Sequence, residues 1–288
     1  MSDLNGKIYV VTGANSGIGF AAAKNFAGRG AEVILVCRSL VKATSARNEI
    51  IESTGNERIH IEIADFSSLK SVHDLGQRLA ERYSKIDVLC SNAGGASGAR
   101  QTTEEGFEQT FVTNHLSSFL LTKHLLPALL RSAESGSARV VFTSSLGHKN
   151  SPLDFNDLNL EQGYTTLKAY GRTKLMNLLM AKEMHKRFGD QGLICSSFHP
   201  GAVRTPIWGK SGFLATMLGL AMYPFMWSIE KGAETFIWLA SSEDSEVKNA
   251  QGAYFFDKRR AATAKFATDE AASQLWEVSE ELVDSITK

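Results

Sequence analysis

Residues 7–19 read KIYVVTGANSGIG, and the order of residue types in that stretch decides the fold. Lys7 to Thr12 is a short run dominated by apolar and β-branched residues, which predicts a buried strand. Gly13, Gly17 and Gly19 punctuate the turn that follows, and beyond it apolar residues recur at helical spacing. A strand that enters a helix through three glycines builds a cradle for a phosphate group. Gly13 permits the tight turn, Gly17 lets backbone approach a pyrophosphate, and Gly19 lets helix and strand pack closely. Asn15, Ser16 and Ile18 complete the loop, at the positive end of the helix dipole. A loop that merely needs flexibility would carry the same glycines; strand before and helix after favour a dinucleotide site.

Working outward, strand-like runs recur at about 32–37 (EVILVC), 58–63, 86–91, 138–143, 193–198 and 253–256, with longer helical stretches between them. Strands apolar on both faces and alternating with helices imply parallel βαβ units. The expected architecture is α/β: a single doubly wound Rossmann-type domain over residues 1–288, with a mostly parallel seven-stranded sheet and helices on both faces. Residues 203–230 break the alternation with Pro206, Pro224 and a cluster of aromatics, and are expected to form a helical substrate lid. Within them Ser211 to Ile229 carries no charge, so three readings stay open: a lid, a peripheral membrane contact, or helices packed on the core. A true span would tear the sheet, and Gly219 and Pro224 interrupt it.

Lys plus Arg (31) balances Asp plus Glu (31), which argues against nucleic acid as the main partner and for a small molecule. Cys37, Cys90 and Cys195 lie far apart in apolar runs, without the spacing of a metal site, and read as buried hydrophobes in a reducing compartment. The start MSDLNGK has no export signal, so a cytoplasmic location is expected, with peripheral membrane association through 207–229 as the variant.

Arg38 follows the second strand where an NAD-selective site would place a carboxylate. A guanidinium there can pair with the 2′-phosphate, predicting a preference for NADP(H) while leaving NAD(H) usable; a solvated Arg at a strand end is the plainer alternative. Further on, Tyr170 and Lys174 lie four apart on a helical stripe, so both point to one side. An ammonium near a phenol favours the phenolate and makes an adjustable acid/base. As a bare pair this is cheap; its place after the fifth strand gives it weight.

Taken together, TGANSGIG, Asp65-Phe66 after the third strand, Asn92-Ala93-Gly94 after the fourth, Asn114, Ser145 after the fifth, YGRTK, and Pro200-Gly201 followed by Val203 and Thr205 resemble the short-chain dehydrogenase/reductase family over nearly the whole chain. CRS after the second strand, TNHLSSFLLTKHLLPAL and DFNDLNLEQGY look most like its retinol dehydrogenase and WW-domain oxidoreductase branch. The resemblance implies that Tyr170 exchanges a proton with the substrate oxygen while hydride moves to or from the nicotinamide. Lys174 would lower the tyrosine pKa and hold the ribose, Ser145 would stabilise the substrate oxygen, and Asn114 would hold a relay water. Alignment with the family pattern selects Ser145 over its neighbour Ser144. Asp65 would contact the adenine edge, Asn92, Ala93 and Gly94 would let the cofactor approach the backbone, Thr205 would bind the nicotinamide carboxamide, and Phe66, Pro200, Gly201 and Val203 would also belong to the cofactor site.

The plainer readings are a cap for Asp65, a tight turn for Asn92 to Gly95 and a turn hydroxyl for Thr205. Ser91 and Thr113 depart mildly from the family pattern, and His115 and His199 are expected to be structural. The function that follows is an NADP(H)-preferring oxidoreductase interconverting a carbonyl and an alcohol on a hydrophobic small molecule: a retinoid, steroid, long-chain aldehyde or aromatic ketone. The alternative is a dinucleotide-sensing regulator or scaffold on the same fold. The helices near 107–130 and 163–188 suit either a homodimer or a monomer.

Overall fold

The computed structural model describes residues 3–136, 138–203 and 226–287. The expected lid at 203–230 lies outside the described residues from 204 to 225, and so does Thr205; Val203, Met226 and Trp227 are described.

Eight strands form one sheet in the order β3-β2-β1-β4-β5-β6-β7-β8. They are β1 (Ile8–Thr12), β2 (Glu32–Cys37), β3 (Ile59–Ile63), β4 (Val88–Ser91), β5 (Arg139–Thr143), β6 (Ile194–His199), β7 (Tyr254–Phe256) and β8 (Arg259–Arg260). The first seven run parallel, and β8 returns antiparallel to β7. The seven-stranded expectation therefore gains a two-residue hairpin arm. Its turn, Asp257-Lys258, has φ of 48° and 58°, a geometry that sequences usually announce with Asn-Gly or Asp-Gly. Two exposed arginines give no apolar signal for the strand that follows.

Both faces of the parallel strands are buried because side chains alternate. Val10, Ile34, Val36, Val140 and Phe142 join the apolar cluster on one face. Tyr9, Val11, Val33, Leu35, Cys37 and Val141 join the cluster on the other. Helices α1 (Gly17–Gly28), α2 (Leu40–Thr54) and α7 (Ile229–Ser241) cover the second face. On the first face lie α3 (Leu69–Arg82), α5 (Ser117–Ala133), α6 (Thr166–Phe188) and the terminal helix α9 (Asp269–Thr287). The single turn α8 (Ser245–Lys248) packs Val247 on the second face. The short α4 (Gln109–Phe111) runs into α5 through a π-helical turn at Val112–Leu116.

From β1 the chain winds outward through β2 and β3, then crosses back to lay β4 on the other side of β1. That reversal opens a crevice at the carboxyl ends of β1 and β4, where open α/β sheets bind ligands. Among the described residues no helix is long and apolar enough to cross a membrane, and no group of three metal-ligating side chains occurs. All three cysteines are free and buried.

Candidate active site

The glycine turn has the geometry its sequence predicts. Gly13 and Gly17 have φ of 67° and 58°, open to glycine and costly for other residues. Gly19 is set by contact: a Cβ there would stand 2.5 Å from the Gly13 carbonyl oxygen and 2.6 Å from Asn92 Nδ2. Gly13 N–H donates to the Val36 carbonyl at 2.9 Å, so the turn is tied to the end of β2. Ser16 caps α1 in extended conformation without a side-chain hydrogen bond, which leaves the first N–H groups of the helix without a side-chain cap. Asn15 and Ile18 flank that opening. Burial pushes the Cys37 thiol up to about 11, so it behaves as a small hydrophobe beneath the turn. Arg38, the next residue, is exposed.

Across the crevice Asn92 binds three strand ends together. Its N–H donates to Thr12 Oγ1 at 2.9 Å, Nδ2 donates to the Thr12 carbonyl at 3.0 Å, and Oδ1 accepts from Thr143 Oγ1 at 3.2 Å. Ala93 N–H also donates to Thr12 Oγ1, at 2.8 Å. Gly94 has no room for a side chain: a Cβ would lie 2.9 Å from Asn114 Oδ1 and 3.5 Å from Lys174 Nζ. Asp65 does not cap α3, a task that falls to Ser68. Instead its Oδ1 accepts from the Ser67 N–H and hydroxyl at 2.9 and 2.8 Å. Phe66 is buried beside it, and its carbonyl accepts from Ser117 Oγ at 2.7 Å.

The acid/base candidates meet beside this crevice. Lys174, 3% exposed, places Nζ 5.3 Å from the centre of the Tyr170 ring and donates to the Thr143 carbonyl at 3.1 Å. Burial alone pulls its ammonium down to about 8. The Tyr170 phenol is pushed up by burial and drawn back by a hydrogen bond with Ser145. Ser145 and the Lys174 ammonium thus both lie beside the phenol. The two serines separate cleanly: Ser144 is buried and donates to the Lys174 carbonyl at 2.7 Å, while Ser145 faces the phenol.

Asn114, fully buried in the π-helical turn, spends its side chain within the protein. Oδ1 accepts from Gly95 N–H at 2.8 Å, and Nδ2 donates to the Gly95 carbonyl at 2.8 Å and to Thr173 Oγ1 at 2.9 Å. Pro200 and Gly201 follow β6, and the Trp227 ring lies against Gly201 so closely that a Cβ would stand 2.6 Å from it. Val203 pairs with Trp227 in an isolated parallel bridge.

The histidines set aside on sequence divide in two. His115 bonds Ser279 Oγ at 2.8 Å, is pushed down to about 3 by burial, and is structural. His199 is pushed down to about 4, mainly by burial and secondarily by His148, and stacks on Phe256. His148 and Tyr254 were not foreseen. His148 Nδ1 lies 2.6 Å from the Ser145 carbonyl, and its ring meets Tyr254 edge-on at 4.8 Å. The spacing of three from Ser145 was the available signal, but it becomes informative only once a 3₁₀ turn is known at Leu146–Asn150.

Comparison with known proteins gives the family and the fold. Residues 7–212 match the short chain dehydrogenase family. Retinol dehydrogenase 12 of Mus musculus is 38% identical over 279 residues, covering 96% of this chain and 86% of that protein. A candidate daunorubicin C-13 ketoreductase, DnrU, of Streptomyces sp. (strain C5) is 38% identical over 278 residues, covering 96% and 92%. Among solved structures, an uncharacterized protein from Mycobacterium Paratuberculosis superposes with a TM-score of 0.76 at 29% identity, covering 98% of this chain and 96% of that one.

Proposed function

The chain belongs to the short-chain dehydrogenase family, as an NAD(P)-dependent oxidoreductase of CH–OH groups in its retinol dehydrogenase-like branch, and on that premise we propose that it interconverts a carbonyl and an alcohol on a hydrophobic small molecule with NADP(H) preferred. The observation that carries this reading is the convergence of Ser145, Tyr170 and a buried Lys174 ammonium beside Asn92 to Gly95.

The residues fit a dinucleotide. Glycines fill the places where a side chain would block the crevice, and among the described residues the first turn of α1 lacks a side-chain cap and the deeply buried Lys174 donates to a single backbone carbonyl. When bound, the nicotinamide supplies or accepts the hydride. In reduction, Tyr170 gives its phenolic proton to the carbonyl oxygen; in oxidation its phenolate takes the proton from the alcohol. Ser145 donates a hydrogen bond to the same oxygen and stabilises charge developing there. Lys174 holds the ribose with the N–H groups not engaged by Thr143 and favours the phenolate by its charge. The Asn114 side chain is engaged by Gly95 and Thr173 and its carbonyl accepts from Ser118 Oγ, so Asn114 would serve the proton relay through the lone pairs those bonds leave open. Asp65 and Phe66 border the adenine. Pro200, Gly201 and Val203 would face the cofactor and Arg38 would meet the 2′-phosphate; Thr205, expected on sequence to bind the carboxamide, lies outside the described residues.

The similar proteins named for retinol and for a daunorubicin ketone favour a hydrophobic substrate. We propose a single domain, cytoplasmic, with peripheral membrane contact through 207–229 as the variant; the lid expected at 203–230 falls largely outside the described residues. The test is a panel of retinal, nonanal, a 17-ketosteroid and an aromatic ketone, each with NADPH and NADH, run with wild type and Tyr170→Phe. We expect turnover of at least one compound, faster with NADPH and abolished by the substitution. Activity that survives in Tyr170→Phe, or none in wild type, overturns the assignment and favours the regulator or scaffold.

A further inference from the structure

Ser145 can act on a substrate oxygen only if its hydroxyl points the right way, and the turn that carries it is unusual in how it is held. Ser145 is extended, with φ −161° and ψ 159°, and caps the 3₁₀ turn Leu146–Asn150, its Oγ accepting from Gly147 N–H at 3.3 Å. Its carbonyl receives two donors from one residue: the His148 N–H at 3.2 Å and, more closely, the His148 ring Nδ1 at 2.6 Å. A carbonyl only accepts, so Nδ1 carries the proton and Nε2 is left with a lone pair.

The ring is fully buried, and burial lowers its pKa, so the neutral form persists at pH 7. Nε2 has no hydrogen-bond partner among the described residues, and neither does the buried hydroxyl of Tyr254 against which the ring stands edge-on. A buried histidine that uses one nitrogen on the carbonyl of an active-site serine and leaves the other unpaired is poorly explained by stability alone, since an unpaired buried polar atom costs about 1–3 kcal/mol.

We propose that His148 is a positioning residue: its Nδ1–H fixes the Ser145 peptide and thereby aims the Ser145 hydroxyl at Tyr170 and the substrate oxygen. This rests on the proposed oxidoreductase reading, because it needs Ser145 to act on a substrate. The side-chain pair it serves must be placed to a fraction of an ångström, and misplacement by about 1 Å costs on the order of 100-fold in rate.

Three substitutions separate the hydrogen bond from the packing. His148→Phe keeps an aromatic ring and removes the donor. His148→Gln moves the amide outward, toward the place of Nε2, while His148→Asn returns an N–H to the place of Nδ1. With NADPH and whichever of the four panel compounds wild type reduces, we expect kcat to fall about 10- to 100-fold in the Phe and Gln variants. KM and the NADPH Kd, read from NADPH fluorescence, stay within about twofold, and Asn recovers most of the rate. Equal rates in Asn and Phe, or a wild-type rate in Phe, overturn the proposal.

A second measurement needs no substrate. In ¹⁵N-labelled wild type at pH 7, a long-range ¹H–¹⁵N spectrum assigned by loss of the signal in His148→Asn should show the Nδ1–H tautomer; an Nε2–H tautomer overturns the proposal. If wild type turns over none of the panel, the oxidoreductase reading falls, and the tautomer still decides whether the bond to Ser145 exists.

Discussion

The two sides of the crevice use polar groups in opposite ways. Around Asn92 the polar atoms fix backbone: Thr12 Oγ1 takes two N–H donors and donates to the Cys90 carbonyl, and both ends of the Asn92 amide are bonded. Around Tyr170, polar groups are buried with capacity to spare. Lys174 donates to one carbonyl, and His148 Nε2, His199 Nδ1 and the Tyr254 hydroxyl have no partner among the described residues. One side is built to hold a shape and the other to meet a reacting molecule, at a cost in stability. Substitutions on the two sides should therefore move stability and activity in different directions.

The sharpest contrast comes from Lys174→Met. Removing the cation proposed to serve Tyr170 should lower kcat by about 1,000-fold. The same change removes an ammonium that burial disfavours, so the variant should be more stable than wild type. The sign follows from linkage. The folded pKa of about 8 lies below the ordinary 10.5, so between those values the unfolded chain binds more protons on this group. Wild type carries the full penalty below pH 8, on the order of 3 kcal/mol, and sheds it as pH rises toward 10.5. Urea unfolding of both proteins from pH 7 to 10 should show the advantage of Met shrinking with pH; an advantage constant with pH would break the comparison.

Ser145→Ala and Ser144→Ala divide adjacent residues between the two roles. Losing the Ser145 hydroxyl, proposed to act on the substrate oxygen, should lower kcat by about 100-fold or more. The hydrogen bond from Ser145 draws the Tyr170 phenol down, so its loss should move the rising limb of alcohol oxidation to higher pH. Ser144→Ala loses one buried hydrogen bond to the Lys174 carbonyl and should cost about 1 kcal/mol of stability with the pH profile in place. Reversed profiles in the two variants would exchange their roles.

On the shape-holding side, Gly19→Ala is the test. Gly19 lies in the first turn of α1, where Ala gains at most the roughly 1 kcal/mol it gains in a helix interior. Here the new Cβ would stand 2.5 Å from a backbone oxygen that cannot move without opening the turn, and overpacking of this kind costs about 1–3 kcal/mol. The clash should win, giving a lower urea midpoint and a weaker NADPH Kd. An unchanged midpoint would mean that the turn yields more readily than its bonds to β2 and Asn92 suggest.

What the sequence made legible follows the same division. The parallel strands, the glycine turn and the meeting of Tyr170 with Lys174 were readable because each is specified by a pattern close in sequence: short apolar runs, Gly spacing, or four residues on a helix. What escaped depends on contacts that no spacing encodes. The π-helical turn at Val112–Leu116 keeps the periodicity of an ordinary helix, so nothing announced that Asn114 would turn inward and spend its amide on Gly95 and Thr173. β8 hides behind a hairpin turn without glycine. His148 matters through a bond to a main-chain carbonyl, which a side-chain pattern does not reveal.

The smallest effect is the most selective. Arg38 lies two residues past Val36, whose carbonyl anchors the glycine turn, and is exposed, so its removal should leave stability within about 0.5 kcal/mol. A charge-assisted bond from a guanidinium to a phosphate is worth about 1.5–3 kcal/mol, and solvent exposure reduces that toward the lower end. Arg38→Ala should therefore raise KM for NADPH by roughly tenfold while leaving KM for NADH nearly unchanged, because only one of the two carries the 2′-phosphate. The ratio of kcat/KM for the two cofactors isolates this effect from any general loosening of the crevice, which would weaken both alike. The NADPH penalty should also shrink as salt rises from 50 to 500 mM, since the pairing is screened. Equal losses with both cofactors, or an unaltered ratio, would remove Arg38 from the cofactor site and leave it a solvated residue at the end of a strand.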